Sequence, residues 1–273
     1  MEKFRAACVQ LRSSEDVATN IQDASRLIRE AARTGAQFVA TPENTSLMAA
    51  DGGAKLANSF DEAHDPALPA FAALAKELNI WLLIGSLHIR VDGDKTANRS
   101  FLMGPDGTIK TRYSKIHLFD VDLDGGERYR ESSSVAGGDK AVVADTPWGG
   151  IGLSICYDMR FPHLYRALAK KGAFAFTAPS AFTVPTGQAH WHVLLRARAI
   201  ENGAFMIAPA QGGTHPNGRK TYGHSLIIDP WGTVLAEAGT EPGVIFADID
   251  PALSKEVRGK LPSLHHDRGF ALP

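Results

Sequence analysis

Three side chains of different chemistry stand at the ends of apolar runs: Glu43, Lys115 and Cys156. Cys156 closes GIGLSIC, in which Ile151, Leu153 and Ile155 alternate with small or polar residues at the period of a strand packed on one face. Pro162 then opens an apparent helix over 163–171, closed by Gly172. A thiol at such a strand-to-helix turn is displayed at the end of a sheet, near a positive helix end that favours thiolate. The plain alternative is a small buried hydrophobe. Glu43 follows a short strand at 37–41, where open α/β sheets collect ligands; a solvated loop carboxylate is its alternative. Lys115 leaves a hairpin strand between Tyr113 and the apolar Ile116, Leu118 and Phe119. Partial burial there gives its charge a function that full solvation would not. A carboxylate, a cation and a thiol on one scaffold are what cysteine-based acyl transfer requires. The carboxylate takes the thiol proton and returns it to the leaving amine, the ammonium stabilises thiolate and oxyanion, and the thiol forms the acyl-enzyme.

The elements that must position these groups follow from hydrophobic periodicity. Residues 4–11 read as a strand with Ala6, Cys8 and Gln10 on one face, so Cys8 belongs to the core. A helix opens near Ser14 with Glu15 and Asp16 in its first turn, and Val17, Ile21, Ala24, Leu27, Ile28 and Ala31 recur at helical spacing until Gly35 stops it. The strand at 37–41 completes a βαβ unit, which implies parallel strands and a right-handed crossover. A second helix is predicted over 66–78, and WLLIGSLH at 81–88 is apolar enough for a strand covered on both faces. Hairpin turns are expected at Asp92-Gly93 and Pro105-Asp106-Gly107. Residues 120–139 are polar, rich in Gly and Ser and without periodicity, the length of an active-site loop. Its acidic residues Asp122, Asp124, Glu127 and Glu131 lack the spacing of a calcium loop, so no metal is expected. A strand at 174–179, a loop at 180–187 and a helix at 188–202 follow, the helix turning Trp191, Leu194, Leu195 and Ile200 inward. His190 and His192, two apart, lie on different faces of that helix and do not chelate one metal from it. Beyond a strand at 204–210, the loop GGTHPNGRK, a hairpin around Pro230-Trp231-Gly232 and a strand at 244–250 lead to an apolar tail that suits an oligomer contact.

Composition bounds the function. The chain has 273 residues and is read as a single domain over 1–273, with no linker, charge block or repeat to divide it. A net charge of −1 gives no electrostatic case for nucleic acid or an anionic membrane. No apolar segment has transmembrane length, and the N-terminal MEKFRAACVQL has no signal-peptide run. Two cysteines, neither in a CxxC pair, suit a reducing compartment, so a cytoplasmic location is expected.

Three motifs, TPENTSL around Glu43, YSKIHLFD around Lys115 and SICYDMRFP around Cys156, resemble those of the nitrilase superfamily of carbon–nitrogen hydrolases. The resemblance runs from AACVQL to DPWGTVLAEAG, essentially the whole chain. It implies an α/β fold, a four-layer α-β-β-α sandwich, that pairs into homodimers or higher homo-oligomers, and it implies no cofactor. It implies that Glu43 is the general base, Lys115 the oxyanion and orientation residue, and Cys156 the nucleophile. A second glutamate after the lysine places substrate or water in this family, and Glu131 in YRESSS matches it better than Glu127. The Tyr157 backbone N–H is expected in the oxyanion hole beside Lys115. Within the superfamily the chain resembles the amidase branch of deaminated-glutathione amidase and ω-amidase, and TGQAHWHVLLRARAIENGAF and AQGGTHPNGR lean to the former. The implied partner is a small-molecule amide of an α-keto dicarboxylic acid. Arg160 is the expected carboxylate partner, a structural ion pair being its alternative. Phe182, Thr183, Thr186, His215 and Arg219 are expected to complete the substrate pocket, with Lys220 beside them. Another aliphatic amidase or a nitrilase of the superfamily stays open, the motifs alone not separating amide from nitrile chemistry. Two further rivals remain in view: a cysteine–histidine hydrolase using His117, and an interaction module of this fold without turnover.

Overall fold

The computed structural model describes residues 2–91, 93–122 and 128–271. The first half comprises β1 (Phe4–Gln10), α1 (Val17–Arg33), β2 (Phe38–Ala40), α2 (Gly52–Ala57), α3 (Ala67–Leu78), β3 (Trp81–Arg90), β4 (Thr96–Met103) and β5 (Ile109–Ser114). A ribbon of β6 (Asp120–Asp122) and β7 (Arg128–Arg130), a 3-10 turn at Glu131–Ser133 and the two-residue β8 (Val135–Ala136) form the middle. The second half continues with β9 (Val143–Thr146), β10 (Gly149–Leu153), a 3-10 turn at Cys156–Arg160, α4 (Pro162–Lys170), β11 (Ala173–Thr177), α5 (Val184–Asn202) and β12 (Phe205–Ala208). The ribbon β13 (Gly212–Thr214) and β14 (Lys220–Tyr222) precedes β15 (Leu226–Ile228), β16 (Val234–Glu237), β17 (Gly243–Ile249) and α6 (Pro251–Lys260).

Two sheets result. One has the order β17-β1-β2-β3-β4-β5, with β8 against β4, and the other the order β16-β15-β12-β11-β10-β9. Their central strands are parallel, as the βαβ spacing requires. The period-2 alternation of β1 shows how they stack: Phe4, Ala6 and Cys8 join a core shared with β10, β11 and β12, while Ala7 and Val9 join one shared with α1 and α3. Leu164, Trp191 and Leu195 pack α4 and α5 on the second sheet. The layers therefore run helix, sheet, sheet, helix, as expected. Cys8 lies fully buried between the sheets. No helix among the described residues is long and apolar enough to cross a membrane.

The local departures have physical causes. Asp16 caps α1 from outside, its carboxylate accepting from the Thr19 N–H, and does not sit in the first turn. The helix α5 begins at Val184, within the predicted 180–187 loop, because Pro185 is tolerated in a first turn whose N–H groups have no intrahelical acceptor. Ile200 is 48% exposed and not inward, since the buried face of α5 follows Trp191, Leu195, Ala199 and Asn202. Within the 120–139 stretch, read as an active-site loop, the described residues hold the β6–β7 ribbon. The turn at 105–107 forms as expected, Gly107 donating to the Gly104 carbonyl; Asp92, Asp124 and Glu127 lie outside the described residues. The tail leaves Leu261 and Phe270 exposed.

Candidate active site

Each sheet delivers part of one buried constellation. In the first, β2 ends at Ala40 and the chain turns through Pro42 to Glu43, where Gly85 of β3 passes against it. A Cβ on Gly85 would lie 1.9 Å from the Thr41 carbonyl oxygen and 2.5 Å from that of Pro42. Only glycine allows that approach, and the β3–β4 register shifts at the same place. Lys115 follows β5 directly, its backbone N–H bonded to the Asn98 carbonyl of β4. From the second sheet comes Cys156, three residues beyond β10, with φ +49°, a left-handed conformation rare in a residue bearing a Cβ. Asp158 fixes this turn. Its fully buried carboxylate accepts from the Ile155 N–H, the Tyr113 hydroxyl at 2.6 Å and the His117 N–H at 3.0 Å, with the His117 ring Nδ1 at 2.7 Å. Tyr113 and His117 flank Lys115, so one carboxylate locks the lysine's segment to the cysteine's.

The Glu43 carboxylate accepts three hydrogen bonds and keeps room on Oε2. Oε1 accepts from Lys115 Nζ at 2.9 Å and Asn98 Nδ2 at 2.9 Å, and Oε2 from the Ala181 N–H at 2.9 Å. Glu131 takes Lys115 Nζ at 2.8 Å, the Phe119 N–H at 2.7 Å and Asn98 Nδ2 at 3.1 Å. Lys115 is 2% exposed, and with two of its three donors on carboxylates it keeps one free. Burial pushes its pKa down, but the Glu131 and Glu43 charges outweigh burial and hold it well above the usual lysine value. For Glu131 burial pushes up, and the Lys115 charge with hydrogen bonds from Lys115, Phe119 and Asn98 holds it below the usual carboxylate value.

Cys156 differs from the expectation of a thiolate favoured by a helix end. Burial raises the thiol, the Glu43 charge raises it further, and Lys115 opposes without prevailing, so the resting sulfur is protonated. The helix starting at Pro162 lies beyond the 3-10 turn, too far on to decide the matter. A protonated nucleophile beside a carboxylate is arranged for activation by a base. The Tyr157 N–H, next in sequence, donates to no described residue.

These groups face a cavity of about 990 Å³ that also takes in Tyr157, Arg160, Phe182, Thr183, Thr186 and Arg219. Lys220 lies on its edge as well. Arg160 has no carboxylate partner among the described residues; it meets His190 Nδ1 at 3.3 Å and lies over the Tyr157 and Phe182 rings. The Thr183 and Thr186 hydroxyls bond each other at 2.8 Å at the start of α5. His215 is a correction: it does not line the cavity but is buried, with Nδ1 at 2.8 Å from the Ser13 carbonyl oxygen and Nε2 at 2.7 Å from the Thr221 hydroxyl. Burial, with the Arg219 and Arg12 charges, lowers its pKa to about 4 against the Ser13 hydrogen bond. Nor does His117 line the cavity, its ring stacked on Phe161 at 3.6 Å beside Asp158, which removes the base needed by a cysteine–histidine hydrolase.

Four residues that sequence reasoning missed belong here: Lys55, His88, Asn98 and Asp158. Lys55, on the unpredicted α2, enters the cavity with only a 3.4 Å contact to the Ser134 hydroxyl, and burial lowers its pKa. His88 and Asn98 are register partners on β3 and β4. Burial, then the charges of Lys55, Lys115 and Arg219, keep His88 neutral. A histidine in the largely apolar run of β3 was the available signal; Asn98, on the mixed strand β4, had none.

A family model described as Carbon-nitrogen hydrolase matches residues 5–259. The deaminated glutathione amidase of Synechocystis sp. is 42% identical over 276 residues, covering 97% of this chain and 98% of that protein. Human omega-amidase NIT2 is 37% identical over 269 residues, covering 98% and 96%. Among solved structures, the C. elegans NitFhit protein superposes with a TM-score of 0.91 at 37% identity, over 97% of this chain and 65% of that one.

Proposed function

Because the chain belongs to the carbon–nitrogen hydrolase family, a hydrolase of amide carbon–nitrogen bonds, we propose that it cleaves an amide of a small α-keto dicarboxylic acid, deaminated glutathione before α-ketoglutaramate. In this reading Glu43 removes the Cys156 proton as sulfur attacks the amide carbonyl. The oxyanion takes the free Lys115 donor and the Tyr157 N–H. Collapse expels the amine, which receives the proton from Glu43 and leaves a thioester on Cys156. Water then attacks the thioester with Glu43 again as base; the C–S bond breaks, the α-keto acid leaves and the proton on Glu43 returns to the Cys156 sulfur, while Glu131 holds Lys115 and the Phe119 backbone in place for both halves.

The observation that carries the substrate reading is charge. Lys55, Arg160 and Arg219 all reach the cavity, and none has a carboxylate partner among the described residues. Arg219 Nε is moreover buried without a hydrogen-bond partner. Three uncommitted cations in one pocket suit a substrate with carboxylates at both ends. Deaminated glutathione carries one on the keto-acid end and one on its Cys-Gly leaving group; α-ketoglutaramate lacks the second. Loss of one charge-assisted contact, worth about 1.5–3 kcal/mol, corresponds to roughly tenfold or more in kcat/KM. The test is a turnover panel with peptide release measured beside ammonia release. Wild type should favour deaminated glutathione, and Arg219→Ala should narrow the gap. Equal efficiency, or preference for the smaller amide, would reassign the chain to ω-amidase chemistry.

A further inference from the structure

Outside this cavity three side chains from three elements converge: His192 of α5, His224 just before β15 and Glu237 at the end of β16. We propose that they form a binding site for a divalent transition-metal ion of the zinc class. Glu237 Oε1 lies 3.0 Å from His192 Nε2 and 2.9 Å from His224 Nδ1, and all three ligand atoms fall within 4.8 Å of one another. Ligands held at about 2.0–2.1 Å in a tetrahedron stand roughly 3.3 Å apart, so two edges are nearly met and a small side-chain rotation closes the third.

The frame around the trio is rigid. His224 adopts φ +55°, its N–H bonded to the Gly239 carbonyl and its own carbonyl accepting the Trp191 indole N–H at 2.7 Å. The Tyr222 ring stacks on the His224 ring at 4.4 Å, fixing its plane. Glu237 is the register partner of Leu226, in the ladder that begins two residues after His224. The three side chains are 27–40% exposed, enough for water to take a fourth position. Two imidazoles and one carboxylate suit zinc, cobalt, nickel or copper, and not calcium or magnesium, which require oxygen donors. Each imidazole binds neutral through the nitrogen that faces Glu237, its proton on the other ring nitrogen. His190, on another face of α5, takes no part; the partners of His192 come from the segment before β15 and from β16.

A bound ion would clasp α5, whose first turn holds Thr186, to that hairpin. The experiment titrates zinc alone into the full chain carrying Cys156→Ala, so that the thiol does not compete. One ion per chain is expected, with a rise in Tm and, for cobalt, the intense visible bands of tetrahedral coordination. His192→Ala, Glu237→Gln and His224→Asn, the last chosen because asparagine tolerates the left-handed backbone, should each weaken binding at least tenfold and abolish the Tm rise. Metal-free protein with Cys156 intact and only His192→Ala should keep the turnover of metal-free wild type. Absence of saturable binding, or binding that all three variants leave unchanged, would overturn the site.

Discussion

Cys156 occupies a left-handed backbone position, a strain of about 1–3 kcal/mol, and its thiol is held protonated by burial and by the carboxylate beside it. The account therefore assigns Glu43 two opposite effects on the sulfur: its charge disfavours thiolate at rest, and its basicity removes the proton during attack. Glu43→Gln separates them. Without the negative charge the thiol pKa should fall, Lys115 being left to favour thiolate, so the pH midpoint for alkylation of Cys156 by iodoacetamide should move to lower pH while amide turnover is lost. A midpoint that stays or rises would mean that Glu43 does not act on the thiol. Cys8, fully buried between the sheets, should remain unlabelled in the folded protein throughout.

At the scale of elements, the site depends on joining the segment after β5 to the turn after β10, and Asp158 is the joint. Asp158→Asn keeps the shape but weakens charge-assisted bonds to Tyr113 and His117, which bracket Lys115. Asp158 touches no substrate, so kcat should fall at least tenfold with KM within about twofold, the pattern of a misplaced oxyanion donor. Unchanged kcat would reduce Asp158 to a packing role. The sequence made the strand ends legible because Glu43, Lys115 and Cys156 each follow a run whose apolar alternation marks where a strand stops. Asp158 was not legible, since nothing local shows that a carboxylate two residues past Cys156 points back under the turn to Tyr113. Lys55 escaped for a related reason: GGAKLA has too few apolar residues to announce a helix, and Asp51 capping Ala54 N–H with tertiary contacts makes it one. His215 was misplaced because a polar loop residue reads as solvent- or ligand-facing, whereas Ser13 and Thr221 supply partners that allow it to be buried.

Over the whole molecule, buried polar contacts tie distant segments together, and one of them should be weakened by acid. His215 joins the β13–β14 loop to the segment after β1, and its folded pKa of about 4 lies below the usual histidine value of about 6.5. The unfolded chain binds the extra proton first, so stability should fall as pH drops from about 6.5 to about 4 and this contribution should level off below that. Thermal melts should show a smaller loss over that window for His215→Gln than for wild type; parallel losses would mean that His215 is not buried neutral. The same polar seam carries the catalytic centre, and the central claim about it is that the acyl group passes through Cys156. Acid-quenched wild-type protein taken during turnover of deaminated glutathione tests this most directly by peptide mass mapping. The account predicts an α-ketoglutaryl thioester on the Cys156 peptide, Cys-Gly released with its formation, and neither adduct nor product from Cys156→Ala of unchanged Tm. Turnover that persists in Cys156→Ala, or an acyl group found on another residue, would contradict it.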